Sequence, residues 1–200
     1  NDASPVWVNN TIINNYSEGY GGGYYCKDSI CPSVYNTLIW GNQCASGWGD
    51  QVYLWDLYSQ SDFYFCLIEG GKEGFAGTGS GEAFTGEWIS MLDEEPLIDM
   101  QTSPPCRLLP DSPCINTGNP DTSGLKIPET DLLGSVRIFN SRIDIGASEW
   151  ENVGINPKQL MTKILYFPNP TSEYINIQSY TNIKDLSIFD VSGKLLYSNT

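Results

Sequence analysis

The chain has 200 residues, with 24 acidic and 10 basic side chains and no histidine. A net charge of −14 repels phosphate backbones, so no nucleic-acid partner is expected. The missing histidine removes the commonest general base and the commonest zinc ligand, and no apolar run is long enough to span a membrane. The charge is uneven. Residues 1–157 hold 21 acidic and 6 basic side chains, a net of −15, while the remainder holds 3 and 4, a net of +1. Two modules of different character are expected. The acidic one also disfavours polyanionic glycans unless a cation bridges.

Residues 6–71 carry a degenerate repeat. Asn10-Thr11-Ile12-Ile13-Asn14-Asn15 returns as Asn36-Thr37-Leu38-Ile39-Trp40-Gly41-Asn42, and again as Phe65-Cys66-Leu67-Ile68-Glu69-Gly70-Gly71. A second series interleaves, with Gly21-Gly22-Gly23-Tyr24-Tyr25 answered by Gln51-Val52-Tyr53-Leu54-Trp55, Gly21 set against Gln51. Periods of this length indicate a solenoid whose coils bury their apolar faces by stacking. Asn at a repeated turn suits left-handed backbone and can hydrogen-bond along the stack.

Aromatic residues crowd the same region. If Val52 and Leu54 point into the coil, Tyr53 and Trp55 point out. Trp48, Tyr53, Trp55 and Tyr58 are therefore the candidate glycan contacts. The alternative is that they only cover the sheet or pack under the Gly-rich loop of residues 70–87. That loop lacks the spacing of a phosphate-binding loop.

Catalytic candidates are sparse, and none is assigned. Asp50, Asp56 and Asp62 lie close in sequence, as do Asp93, Glu94 and Glu95, but nothing pairs them as glycoside chemistry requires. The body offers only Lys27, Lys72, Lys126, Arg107, Arg137 and Arg142 as cationic groups. No metal ligands and no cofactor are assigned. Calcium is the one cation for which oxygen donors abound, but neither loop spacing known for it is present. The six cysteines fit an oxidising compartment. Cys26/Cys31 and Cys106/Cys114 bracket short turn-like segments and are expected to pair, leaving Cys44/Cys66. The alternative is that some are buried thiols.

Residues 112–151 are rich in turn formers and suit a segment that folds over an end of the structure and closes it. Ser112, Pro113, Cys114, Ile115 and Gly118, then Asp131, Leu132, Gly134 and Arg137, then Ile143, Asp144, Ile145, Gly146, Ala147 and Glu149 form an ordered pattern. With the N-T-x-I-W-G-N type of repeat upstream, it resembles the closing signature of secreted bacterial right-handed parallel β-helix proteins. Leu92–Asp99 stands where that family has an acidic D-P-L-F-like step, with Glu95 in place of the usual Asp.

Residues 151–163 read as a linker. Beyond it, Phe167-Pro168-Asn169-Pro170-Thr171-Ser172, an Ile175-x-Ile177 strand and Ile188-Phe189-Asp190-Val191-Ser192-Gly193-Lys194 follow in order. This resembles the start of the C-terminal sorting domain of type IX secretion cargo in Bacteroidetes-like bacteria. Only about the first half of that domain is present, and the whole is expected to be a piece of a longer chain. The signal residues would be Phe167, Pro168, Asn169, Pro170, Asp190, Gly193 and Lys194.

The fold class expected is all-β. Residues 1–150 would form the end coils and closing segment of a right-handed parallel β-helix, and residues 164–200 part of an antiparallel, immunoglobulin-like sandwich. The resemblance implies a secreted or cell-surface protein, cargo of outer-membrane type IX components. Its body would be a non-catalytic adhesion or glycan-contacting scaffold, with polysaccharide as partner. The alternative is the C-terminal part of a polysaccharide lyase or glycosidase whose catalytic coils lie upstream of residue 1.

Overall fold

A computed structural model describes residues 5–29, 31–45, 47–101, 105–138 and 142–150, and in the tail 165–167, 176–178, 186–189 and 194–199. Residues 1–150 form one compact unit and 151–200 another. The expected linker lies outside the described residues.

The body is a parallel β-solenoid of about three turns. Its first coil holds β1 (Val6–Val8), β2 (Thr11–Ile13), β3 (Tyr16–Ser17) and β4 (Tyr24–Cys26). The second repeats the plan as β5 (Ser33–Tyr35), β6 (Leu38–Trp40), β7 (Gln43–Cys44) and β8 (Val52–Leu54). The third adds β9 (Asp62–Tyr64) and β10 (Leu67–Ile68), and β11 (Trp88–Ile89) starts a further rung. Equivalent strands pair in parallel, giving the sheets β1-β5-β9-β11, β2-β6-β10, β3-β7 and β4-β8.

Parallel pairing stacks like positions. Trp7, Val34, Phe63 and Trp88 share one register column. Ile12, Ile39 and Ile68 share another. Val34, Ile39, Phe63 and Ile68 are fully buried, and with Tyr24, Val52, Leu54 and Phe75 they make the main core. Successive side chains of a strand face opposite ways, so Leu38 and Leu67 belong to a second cluster with Leu108, Cys114 and Ile145. The sheet β2-β6-β10 is thus buried on both faces.

That second cover comes from the closing segment, and its position corrects the expectation. It lies along the flank of the solenoid and does not fold over an end. Asn9 Nδ2 donates to the Asp144 carbonyl at 3.1 Å, Ala147 N–H to Thr11 Oγ1 at 2.8 Å and Gly146 N–H to the Asn36 carbonyl at 2.8 Å. The segment therefore ties the first coil to the second. Leading into it, β12 (Ile98–Asp99) and β13 (Arg107–Leu108) form an antiparallel pair.

The repeat register also differs from the sequence reading. Thr11 pairs with Leu38 rather than Thr37, and Tyr25 with Tyr53 rather than Trp55. The recurring turn residue decides this. Asn9, Asn36, Phe65 and Ser90 follow β1, β5, β9 and β11, and all have left-handed φ of 54°, 47°, 52° and 53°. Asn9, and not Asn10, is the counterpart of Asn36.

Amides do stack along the solenoid. Asn36 Nδ2 donates to Asn9 Oδ1 at 3.4 Å and Asn15 Nδ2 to Asn42 Oδ1 at 2.9 Å. Asn42 Nδ2 donates to Gln51 Oε1 at 2.7 Å, and Gln51 Nε2 to Glu69 Oε2 at 2.6 Å.

Cys26–Cys31 is a disulfide, as expected. The other two pairings are corrected: Cys44, Cys66, Cys106 and Cys114 are thiols. Cys66 lies in the main core, whereas the Cys44 thiol donates to the Asp50 carboxylate at 3.2 Å. Cys114 lies in the second cluster, and β13 intervenes between it and Cys106. Burial pushes the Cys66 and Cys114 thiols up to about 12, so neither is a nucleophile.

In the tail, β14 (Leu165–Phe167) pairs antiparallel with β15 (Asn176–Gln178) and β16 (Leu186–Phe189) with β17 (Leu195–Asn199). Antiparallel pairing is the pattern expected of a small sandwich.

Asn36 carries the corner of the second coil. Its Oδ1 accepts from Asn119 N–H at 2.7 Å, and its side chain is fully buried. Asn36→Ala should cost about 3 kcal/mol, from an orphaned donor and a left-handed backbone without Asn. Asn36→Gly should cost less, because glycine relieves the backbone part. Urea unfolding measures both. A glycine variant as unstable as the alanine one would refute the backbone contribution.

Candidate functional site

The aromatic site is built on β4 and β8. Tyr24 pairs with Val52, Tyr25 with Tyr53 and Cys26 with Leu54. Tyr24, Val52, Cys26 and Leu54 are buried in the core, which sends Tyr25 and Tyr53 to the outer face as register neighbours. Their rings stack at 5.8 Å with an interplanar angle of 3°. Tyr20 stacks on Tyr53 at 4.7 Å and reaches Trp48 at 6.4 Å and Trp55 at 6.2 Å. Trp55 also meets Tyr25 and Tyr53, each at 6.3 Å. Together these rings make one continuous platform.

Glycine shapes its edge. Gly21 turns the chain with φ 65°, and a Cβ there would meet the Tyr24 carbonyl oxygen at 2.6 Å. A Cβ on Gly22 would meet the Gln43 and Asp50 carbonyl oxygens at 2.5 Å. Only glycine lets the chain run this close to the next coil before β4 begins.

Of the four residues singled out in the sequence, three join this platform in different ways. Trp48 is 59% exposed and Trp55 39% exposed, so both offer ring surface. Tyr53 is only 6% exposed, because Tyr20 and Tyr25 lie on it. It supports the platform rather than presenting a face, which corrects its place as a contact. Tyr58 is 75% exposed on the turn after β8, where its N–H donates to Asp56 Oδ1 at 2.9 Å. It has no ring contact with the platform among the described residues.

Tyr20, Tyr25 and Lys27 join the platform in addition to the four candidate contacts. Aligning the two series on their turn glycines, Gly21 on Gly49, sets Tyr25 beside Tyr53. The alternative of Gly21 against Gln51 would set Tyr25 against Trp55, which the ladder does not adopt. Lys27 sits with its ammonium 5.2 Å from the centre of the Trp55 ring. The Cys26–Cys31 disulfide closes the loop that bears it. Burial and the charges of Asp28 and Asp56 raise the Tyr25 phenol above its ordinary range.

Four of the candidate carboxylates, Asp50, Asp56, Asp62 and Asp93, are held in structural bonds. Asp50 accepts from Cys44 N–H at 2.9 Å, Asp62 from Glu87 N–H at 2.9 Å and Asp93 from Gly70 N–H at 2.9 Å. Among the described residues, no three metal-ligating side chains converge, and no helix is long and apolar enough to cross a membrane.

The most perturbed acid lies in the closing segment. Glu149 is buried and pairs with Arg137 at 3.1 Å, while its other oxygen accepts from Asp144 N–H at 3.0 Å. Arg137 also donates to the Gly146 and Ala147 carbonyls. Asp144 accepts from the Asn116 and Trp150 N–H groups, and Asp131 from Leu133, Ser135 and Glu149 N–H. Burial and the Asp144 charge push Glu149 up to about 7, and burial raises Asp144 as well. Perturbed acids often mark active sites, but this one is spent on backbone and on Arg137. It is a lock for the flank.

Residues 165–200 match the family described as secretion system C-terminal sorting domain. The tail is a type IX sorting domain. No curated protein and no solved structure matches the chain. The sorting domain makes the protein exported cargo, carried through the outer membrane to the surface or the medium. Of the signal residues, Phe167 lies on β14 and Lys194 immediately precedes β17, exposed. Pro168, Asn169, Pro170, Asp190 and Gly193 lie outside the described residues.

The lock has a pH signature. Glu149 and Asp144 have folded-state values above their ordinary ones, so the folded chain binds more protons in that interval. Stability should therefore fall as pH rises from the ordinary carboxylate range through about 7. Thermal midpoints should be higher at about pH 5 than at about pH 8, and Glu149→Gln should flatten the difference. A flat profile in the parent protein would refute the lock's titration.

Proposed function

We propose that the body is a non-catalytic scaffold that contacts glycans, delivered to the cell surface or medium by its sorting domain. The observation that carries the reading is the platform of Tyr20, Tyr25, Tyr53, Trp48 and Trp55 on the outer face of β4 and β8. Rigid aromatic faces on a regular sheet suit stacking on sugar rings through apolar and C–H contacts. A flat, partly exposed platform suits adhesion to polysaccharide better than turnover of it.

The partner on the export side is the outer-membrane type IX apparatus. The residues that carry the signal in this reading are Phe167, Pro168, Asn169, Pro170, Asp190, Gly193 and Lys194. Recognition by strand addition at an open sheet edge is the mode that fits paired antiparallel strands.

Two measurements test the reading. The full chain should be retained on at least one insoluble polysaccharide, and Trp48→Ala with Trp55→Ala should reduce retention at least about tenfold, as expected for anchor tryptophans. Retention on no polysaccharide, or retention unchanged in the double variant, refutes glycan contact. In a host with type IX secretion, removing residues 165–200 should trap the protein inside the outer membrane. Export without the tail refutes its role.

A further inference from the structure

The platform carries a cation of its own. Lys27 places its ammonium 5.2 Å from the centre of the Trp55 ring. An aromatic face is negative at its centre and attracts ammonium groups. The body around it, residues 1–150, carries 20 acidic and 6 basic side chains. Asp28 and Asp56 lie close enough to act on the Tyr25 phenol by charge. Asp28 is exposed beside Lys27 on the disulfide-closed loop, and Asp56 follows Trp55 directly.

We propose that the ligand of this platform is a glycan bearing protonated amino groups, and that Lys27 occupies the Trp55 face in the free protein as an internal stand-in. This deepens the glycan-contact reading and rests on it. The aromatic faces supply stacking for the sugar rings, and the rings together with Asp28 and Asp56 supply the field for its ammonium groups. A polyuronate would meet the reverse field and be repelled. A neutral glycan would gain the stacking alone. Lys27 competes with the ligand, because both are cations seeking one face.

The test uses the full chain and three probes: a glucosamine oligosaccharide, its N-acetylated counterpart and a cello-oligosaccharide of equal length. Tryptophan fluorescence and calorimetry read binding at about pH 5, where the sugar amines are protonated and exposed aspartates remain ionised. The glucosamine probe should bind at least about fivefold tighter than either neutral one, the size of a cation–π contribution. Added salt should narrow the difference, because exposed charges are screened. Lys27→Ala should raise affinity for the glucosamine probe severalfold and leave the neutral probes less changed. Trp55→Ala should abolish the preference, with an unchanged thermal midpoint showing that the fold is intact.

Equal binding of all three probes, lost together in Trp55→Ala, overturns the ammonium proposal and leaves the glycan reading standing. A glucosamine preference that persists in Trp55→Ala overturns it too, because bulk charge would then be the cause. Binding of no probe sinks the proposal together with glycan contact by this platform.

Discussion

Parallel pairing between successive coils is the constraint on which the body depends. A single coil presents short strands that cannot bury an apolar face alone. Pairing β1 with β5 and β5 with β9 sets equivalent side chains one strand spacing apart, about 4.8 Å. Every column along the axis then has to be filled by residues that tolerate their own stacking. Inside, Val34 and Phe63 close the column between Trp7 and Trp88. At the corners, Asn9 and Asn36 satisfy one another and hold the left-handed turn. Outside, the same arithmetic stacks Tyr25 on Tyr53 and Tyr35 on Tyr64, the latter pair at 4.6 Å. The aromatic platform is thus a product of the solenoid's register and not an addition to it.

The flank is the second requirement. Because β2, β6 and β10 carry apolar residues on both faces, the solenoid alone would leave Leu38 and Leu67 uncovered. The closing segment covers them and must bring its own polar groups with it. Arg137, Glu149, Asp144 and Asp131 answer that need, each bonded to backbone of the same segment. Burial, and after it the charge of Asp144, works against ionisation of Glu149, which its raised value expresses.

The fold was legible in the sequence because its signals are local and repeated. Asn and Gly turns, β-branched triplets and a short regular period belong to a solenoid whatever the details. Register was harder. A choice between Asn9 and Asn10 as the turn residue shifts the ladder by one, and only backbone φ separates two adjacent asparagines. The same kind of slip, Gly21 set against Gln51 instead of Gly49, concealed Tyr25 as the neighbour of Tyr53. The closing segment was recognisable, but its docking surface was not. Nothing local in Asp144-Ile145-Gly146-Ala147 states that its bonds go to Asn9, Thr11 and Asn36, far upstream. Exposure of the candidate residues was equally non-local: Tyr53 faces outward as alternation requires, but Tyr20 covers it.

Cysteine shows where counting gives way to geometry. An even number invites pairing, and the Cys26–Cys31 disulfide forms where the chain leaves β4 for the loop to β5, with Cα atoms 5.9 Å apart. That loop runs between ladders, so a covalent closure of a short segment has something to constrain. Cys66 and Cys114 stand in packed clusters, where the sulfur fills space between apolar neighbours and burial suppresses the thiolate. Thiolate is the form that enters disulfide exchange, so these two sulfurs persist in an oxidising compartment through inaccessibility. The same loop that the disulfide fixes carries Lys27 and Asp28 to the platform. Covalent closure thus falls on the irregular segment whose Lys27 ammonium lies 5.2 Å from the centre of the Trp55 ring, and not on a segment already held by strand pairing.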